Sequence, residues 1–366
     1  MESRFDELTS AWVRSYVSKA AEMPYQTAYY WRSKTVARPD GLNRDMILEA
    51  LQTWDNISLD TSLAMVRDMF LNNDLALEFI IAGNVDHEKT LDLVRNLTEK
   101  TKTLTKGRNF TSTEDPRYHV FSRVLRLPEN KISENQAVKN PKILSPNTRN
   151  YTCYRLQTNN TIQDNNAIFF SYELEPYSKE AYLRANILSQ MLSKSVFFVL
   201  RTQKQLGYIV SSGIKTDYAA MLNFYVIIQS TYPLDQIELE ITELMNGELR
   251  NLMNSSLKDN FLKYQYAVRN KIKNSYKNNT MENTVDLYWS QVSSKQLNFE
   301  AKKEKLALVE KITFEEIHDL YEKMLVSSNG EAKILSAWTH GVKSEFPEAR
   351  FDCQNIDSYK YRKLED

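Results

Sequence analysis

The residues best suited to chemistry are Arg201 and Tyr208, which share the run FFVLRTQKQLGYIVSS from Phe197 to Ser212. A guanidinium and a phenol are hydrogen-bond donors, and neither acts as a base at neutral pH. Aimed at one point, such a pair holds a carbonyl oxygen, or the oxyanion that a carbonyl becomes on attack. The same two residues also allow a plainer reading, a solvated cation at a helix end and an ordinary strand aromatic.

Upstream, Leu183, Ile187, Met191 and Leu192 recur at three- and four-residue spacing and predict a long helix, Ser178–Gln205, with one apolar stripe. Gly207 is expected to take a positive φ just past the helix and turn the chain. Tyr208-Ile209-Val210 then opens a strand, so the guanidinium and the phenol meet across a helix-to-strand corner.

Arg201–Gly213, RTQKQLGYIVSSG, resembles the R-T-x-x-Q-L-G-Y-x-V signature of the insulin-degrading-enzyme group of zinc metallopeptidases, the insulinase or pitrilysin family. The similarity extends to the AGN of Ala82–Asn84, to Tyr288-Trp289 and to the helix Ile312–Leu325, running from about Trp12 to His340. The resemblance implies that Arg201 and Tyr208 orient a scissile carbonyl toward a zinc ion, with Phe197, Gln205 and Gly207 at the bound peptide. For Phe197, which matches an aromatic lining the primed-side pocket, a core position is the alternative. The implied fold class is α+β: two related α/β domains of the pitrilysin/insulinase type, mostly antiparallel sheet packed by helices, the first one incomplete.

Zinc hydrolysis in that family depends on an inverted H-x-x-E-H on one helix plus a downstream Glu. The four histidines here are His87, His119, His318 and His340, and none has a second His within five residues. The motif is absent. The expectation is therefore no metal ligand in this chain, with zinc carried by a complementary N-terminal half on another chain or a missing segment. Resemblance also implies a dimer contact through the last domain. A weaker candidate is Arg269, Lys271, Lys273 and Lys277, clustered near a helix C-terminus where related enzymes bind polyanions; a solvated face favoured by the helix dipole explains it as well.

Bulk properties narrow the partners. The 366 residues suffice for two domains with full cores. Net charge is zero with 26 % charged residues, which favours neither nucleic acid nor an acidic surface. No run reaches the ~18 apolar residues of a membrane span. The opening MESRFDELTSAW does not read as a signal peptide. Cys153 and Cys353 lie 200 positions apart, which reads as two reduced thiols in a cytoplasmic protein. Asn-x-Ser/Thr triplets begin at Asn56, Asn96, Asn109, Asn150, Asn159, Asn254 and Asn278; in an Asn-rich chain that shows no export signal they read as coincidences.

Along the chain, helices are expected at 2–23, 25–32, 44–54, 58–71, 86–102, 234–253, 259–277, 281–294 and 313–326. Strands are expected at 74–84, 119–127, 151–157, 167–174, 207–216, 222–230 and 332–339, with a surface insertion over 128–149. Ile57–Phe70 aligns with Ile312–Leu325 at a constant shift of 255, and Tyr30-Trp31 with Tyr288-Trp289. A repeat this long implies two related domains rather than a solenoid. The expected division is 1–115 as the end of a third insulinase-type domain, 116–341 as a fourth, and 342–366 as a polar tail. Two functions follow: the non-catalytic C-terminal half of a peptide-cleaving metalloenzyme, or a zinc-free relative that binds peptides or scaffolds an assembly.

Overall fold

A computed structural model describes residues 2–19, 22–36, 44–52, 58–71, 79–104, 151–158, 160, 162–217, 221–274, 280–293, 298–326, 332–344 and 353–355. The expected strand 119–127 and the insertion 128–149 lie outside them. In chain order the first helices are α1 (Glu2–Lys19), α2 (Pro24–Thr35), α3 (Arg44–Gln52), α4 (Leu59–Leu71) and α5 (His87–Leu104). Then come β1 (Tyr151–Gln157), β2 (Asn166–Pro176), α6 (Lys179–Phe197), a π-helix (Phe198–Gln203), β3 (Ile209–Thr216) and β4 (Met221–Ser230). The rest are α7 (Leu234–Asn246), α8 (Glu248–Met253), α9 (Ser256–Asp259), α10 (Phe261–Asn274), α11 (Met281–Ser293), α12 (Ala301–Val309), α13 (Phe314–Met324), β5 (Lys333–His340) and β6 (Cys353–Asn355).

The chain forms two compact units from interleaved segments: Met1–Arg14, Arg44–Phe121 and Lys271–Glu304 in one, Ser15–Asn43, Ser122–Asn270 and Lys305–Asp366 in the other. The first unit is helical among its described residues. Ser58 caps α4, its Oγ accepting from Thr61 N–H at 3.1 Å, and Asp86 caps α5 through Lys89 N–H at 3.0 Å. The buried strand expected over 74–84 is not formed in its described part, 79–84, where Phe79 and Ile81 stand 41 % and 39 % exposed.

The second unit is built on a six-stranded sheet ordered β3-β4-β2-β5-β1-β6, antiparallel from β3 through β5 and parallel across β5, β1 and β6. Central β2, NAIFFSYELEP, is apolar at successive positions and buried along nearly its whole length, as a strand covered on both faces must be. Ala167, Phe169, Ile227 and Ala337 on one face pack on Ala28 of α2. On the same face Arg32 is 1 % exposed; it pairs with Asp217 and donates from Nε to Ser171 Oγ at 3.2 Å.

The opposite face carries α6, α7 and α13. Ser178 caps α6 by accepting from Ala181 N–H at 3.0 Å, and Leu183, Ile187, Leu188, Met191 and Leu192 bury its stripe. The single helix expected over 234–253 is broken at Gly247, whose φ of −111° and ψ of −89° leave the helical region between α7 and α8. From α7 the carboxyl of Glu238, 1 % exposed, accepts from Tyr151 Oη at 2.6 Å, Ser336 Oγ at 2.7 Å and Trp338 Nε1 at 2.9 Å.

The expectation of reduced cysteines is overturned. Cys153 of β1 and Cys353 of β6 are register partners on adjacent parallel strands, Cα to Cα 4.5 Å, and form a disulfide. Separation along the chain says nothing about separation across a sheet. A loop of this length, cross-linked, is worth about 5 kcal/mol by loop-closure entropy. Within 342–366, Cys353–Asn355 supplies an edge strand to the sheet.

Two expected outcomes follow from the buried charges. Arg32→Ala leaves Asp217 buried without its ion partner and lowers the unfolding free energy in denaturant titration by roughly 3–5 kcal/mol. Burial lifts the Glu238 pKa from 4.5 to about 7, against the pull of its three donors. A raised folded-state pKa means that this contribution is fully present below pH 4.5 and is lost as pH rises to about 7. The loss amounts to about 3 kcal/mol. Glu238→Gln, which cannot ionise, removes that slope from a stability-versus-pH series.

Candidate functional site

The helix that carries Arg201 does not end as an ordinary α-helix. Over Phe198–Gln203 it widens into a π-helix, with Lys204 N–H bonded to Val199 C=O at 2.8 Å. Leu206 N–H then reaches back to Leu200 C=O at 3.0 Å and closes the end. The residue that takes the left-handed turn is Gln205, at φ 52°, and Leu206 after it is buried.

That corrects the role expected of Gly207. Its φ is not in the left-handed region, and its lack of a side chain serves close approach instead. A Cβ at Gly207 would lie 2.1 Å from the backbone oxygen of Gln229 on β4. An ion pair between Lys204 and Glu240 joins the same corner to α7.

The corner brings the two donors together. Arg201 Cζ lies 5.0 Å from the ring centroid of Phe197 and 5.0 Å from that of Tyr208. The guanidinium thus contacts two aromatic rings, each worth about 0.5–1 kcal/mol at an exposed site. Tyr208 is 83 % exposed, and Phe197 is half-exposed rather than core. Among the described residues no hydrogen bond or ion pair takes up the Arg201 N–H groups or the Tyr208 hydroxyl. Rings contact the guanidinium through their faces and leave its N–H edge for an acceptor. Gln205 and Gly207 sit between the two donors in sequence, the Gln205 side chain exposed.

Arg269 is held by Glu310, Nε to Oε1 2.6 Å, while Lys271 and Lys273 are exposed in the last turn of α10; Lys277 lies outside the described residues. His87 starts α5 at the surface, and His318 bonds through Nε2 to Asn254 Oδ1 at 3.1 Å. His340 is buried in β5 with its pKa pushed down to about 4 by burial and by Arg155; His119 is not among the described residues. Among the described residues no three His, Cys, Asp or Glu side chains converge to hold a metal ion. These described side chains do not fit the zinc site of a metallopeptidase.

Residues 56–265, more than half of the chain, match the family model described as the peptidase M16 inactive domain. The chain belongs to the peptidase M16 family. Its curated relatives include the insulin-degrading enzyme of Drosophila melanogaster, 24 % identical over 92 % of this chain and 30 % of the relative. The A-factor-processing enzyme of Saccharomyces cerevisiae is 23 % identical over 98 % of this chain and 31 % of its own length. The crystal structure of pitrilysin superposes with a TM-score of 0.69 at 14 % identity, over 95 % of this chain and 32 % of that one. This M16 chain therefore spans about a third of the length of the relatives it matches.

Opposite signs separate the two corner residues. Gly207→Ala forces β4 and the corner apart and destabilises by about 1–3 kcal/mol. Gln205→Gly removes the side chain from a left-handed position and raises stability by up to about 1 kcal/mol. Thermal unfolding of both variants reads the difference.

Proposed function

We propose that this chain is the peptide-gripping, non-hydrolytic part of an insulinase-type peptidase, acting with a zinc-bearing N-terminal half on a separate chain or segment. The observation that carries the reading is the Arg201 guanidinium held against the rings of Phe197 and Tyr208, with its N–H edge and the phenol hydroxyl unclaimed among the described residues. Both groups donate to a carbonyl oxygen of an extended peptide and strengthen their bonds as charge develops on it. Phe197 offers an apolar wall to a neighbouring side chain, and Gln205 an amide to the peptide backbone. The Gly207 close approach keeps the corner from shifting when the peptide arrives.

On this reading residues 1–115 and 116–341 are the end of a third and the whole of a fourth insulinase-type domain, followed by the tail 342–366. The start of α4 at Leu59 and of α13 at Phe314, 255 positions apart, supports the repeat. A dimer contact through the last domain belongs to the same proposal. The expected cytoplasmic location loses its thiol argument with the Cys153–Cys353 disulfide. No described helix is long and apolar enough to cross a membrane. The second reading, a zinc-free peptide binder or scaffold, draws on the match to the inactive domain.

An internally quenched peptide assay with zinc decides between them. The chain alone is expected to show no turnover, and a separately expressed N-terminal M16 half to restore it on mixing. Arg201→Ala or Tyr208→Phe then lowers the restored rate on the order of tenfold to a thousandfold, with the unfolding temperature lowered only slightly. Zinc-dependent cleavage by the lone chain, or restored turnover indifferent to both substitutions, overturns the proposal. Peptide binding without turnover after mixing selects the scaffold.

A further inference from the structure

We infer that this chain matures in an oxidising compartment and that Asn96 and Asn254 are acceptors for N-linked oligosaccharide. Two independent observations carry this, and neither involves the peptide site. The first is the disulfide. Cys153 and Cys353 are 2 % and 7 % exposed, and the bond crosses neighbouring strands in register. Bonds of this structural kind form and persist where proteins fold under oxidising conditions, and they are rare where thiol reductants are abundant.

The second is the placement of the acceptor triplets. Two of the seven Asn-x-Ser/Thr asparagines fall among the described residues, Asn96-Leu97-Thr98 on α5 and Asn254-Ser255-Ser256 between α8 and α9. Both asparagines are exposed, as an acceptor carrying a bulky polar group must be. Asn96 makes no side-chain hydrogen bond among the described residues. Asn254 donates from Nδ2 to Arg250 C=O at 3.0 Å and accepts from His318 at its Oδ1. A glycosylated amide keeps one N–H and its carbonyl, so both of those bonds survive the modification. The triplets read as coincidences in an Asn-rich chain; the disulfide is an independent sign of a compartment in which they are used.

The transfer is balanced with a lipid-pyrophosphate-linked oligosaccharide as co-substrate. The asparagine Nδ2 attacks the anomeric carbon, a C–N bond forms, and the C–O bond to pyrophosphate breaks. Lipid pyrophosphate leaves, and the displaced Nδ2 proton passes to a base of the transferase. The Thr98 or Ser256 hydroxyl completes the triplet that such a transferase reads.

The test uses the full chain isolated from its own cells. Alkylation before and after reduction reports the thiols, and peptide-N-glycosidase followed by peptide mass spectrometry reports the asparagines. The expected result is no alkylatable thiol until reductant is added, and enzymatic conversion of Asn96 and Asn254 to aspartate. Thr98→Ala and Ser256→Ala each remove one glycan step from the gel mobility, whereas Thr98→Ser and Ser256→Thr retain it. A loss of glycan through misfolding would not follow that hydroxyl rule. Two free thiols without reductant overturn the inference entirely, and an unmodified asparagine overturns the assignment at its position. Either failure leaves the peptide-gripping proposal standing.

Discussion

The geometry of the candidate site depends on one close approach, that of the Gly207 backbone to the Gln229 carbonyl of β4. Any side chain at 207 would enter that oxygen, so the helix-to-strand corner seats against the sheet only because glycine is there. Once seated, β3 runs antiparallel to β4 from Ile209 onward, and Tyr208 is fixed at the first position before the ladder. Gln205 accepts the left-handed turn one step earlier, which lets the π-helix end without a gap between Leu206 and the core. Arg201 meets the Tyr208 ring because this short path is tied to α6 at one end and to the β3–β4 ladder at the other.

Above that corner sits a layered unit with a buried polar cluster on each face of its sheet. Arg32 and Asp217 lie on the α2 side, and Glu238 lies on the α7 side among Tyr151, Ser336 and Trp338. Buried ionisable groups contribute less to stability than their contacts suggest, because desolvation opposes them. What they do supply is placement. Glu238 ties β1 and β5 to the helix behind them, and Arg32 ties α2 to β2 and to the end of β3 through Asp217. The sheet that presents Tyr208 is thereby held from front and back.

Much of this was legible in the sequence where the signal is local. The stripe of α6, the limits of β1 and β4 and the caps at Ser58 and Asp86 follow from period, propensity and capping chemistry. So does the meeting of Arg201 with Tyr208, since a helix followed by a tight corner leaves little freedom over seven residues. The illegible features depend on partners distant in the chain. Gly207 read as a turn residue because its true neighbour, Gln229, is brought there by the β3–β4 pairing. Cys153 and Cys353 read as strangers because only the parallel pairing of β1 with the tail makes them neighbours. The interleaving of the two units was hidden for the same reason: α2 is short and weakly amphipathic, and its burial depends on a sheet formed more than a hundred residues later.

Stability alone does not account for the Arg201 cluster. Tyr208 is almost wholly in water, Phe197 is half out, and the guanidinium they flank is not a member of the buried core. Two exposed cation–π contacts return about 1–2 kcal/mol at most, against the ordering of three long side chains. A fold optimising its own free energy has little use for that arrangement, whereas a surface that must capture a peptide carbonyl gains from a guanidinium already oriented. Preorganisation lowers the cost of binding because the donor's freedom is lost on folding rather than on encounter. On the proposed reading the physics favours a ligand for this corner, even though no metal site assembles among the described residues.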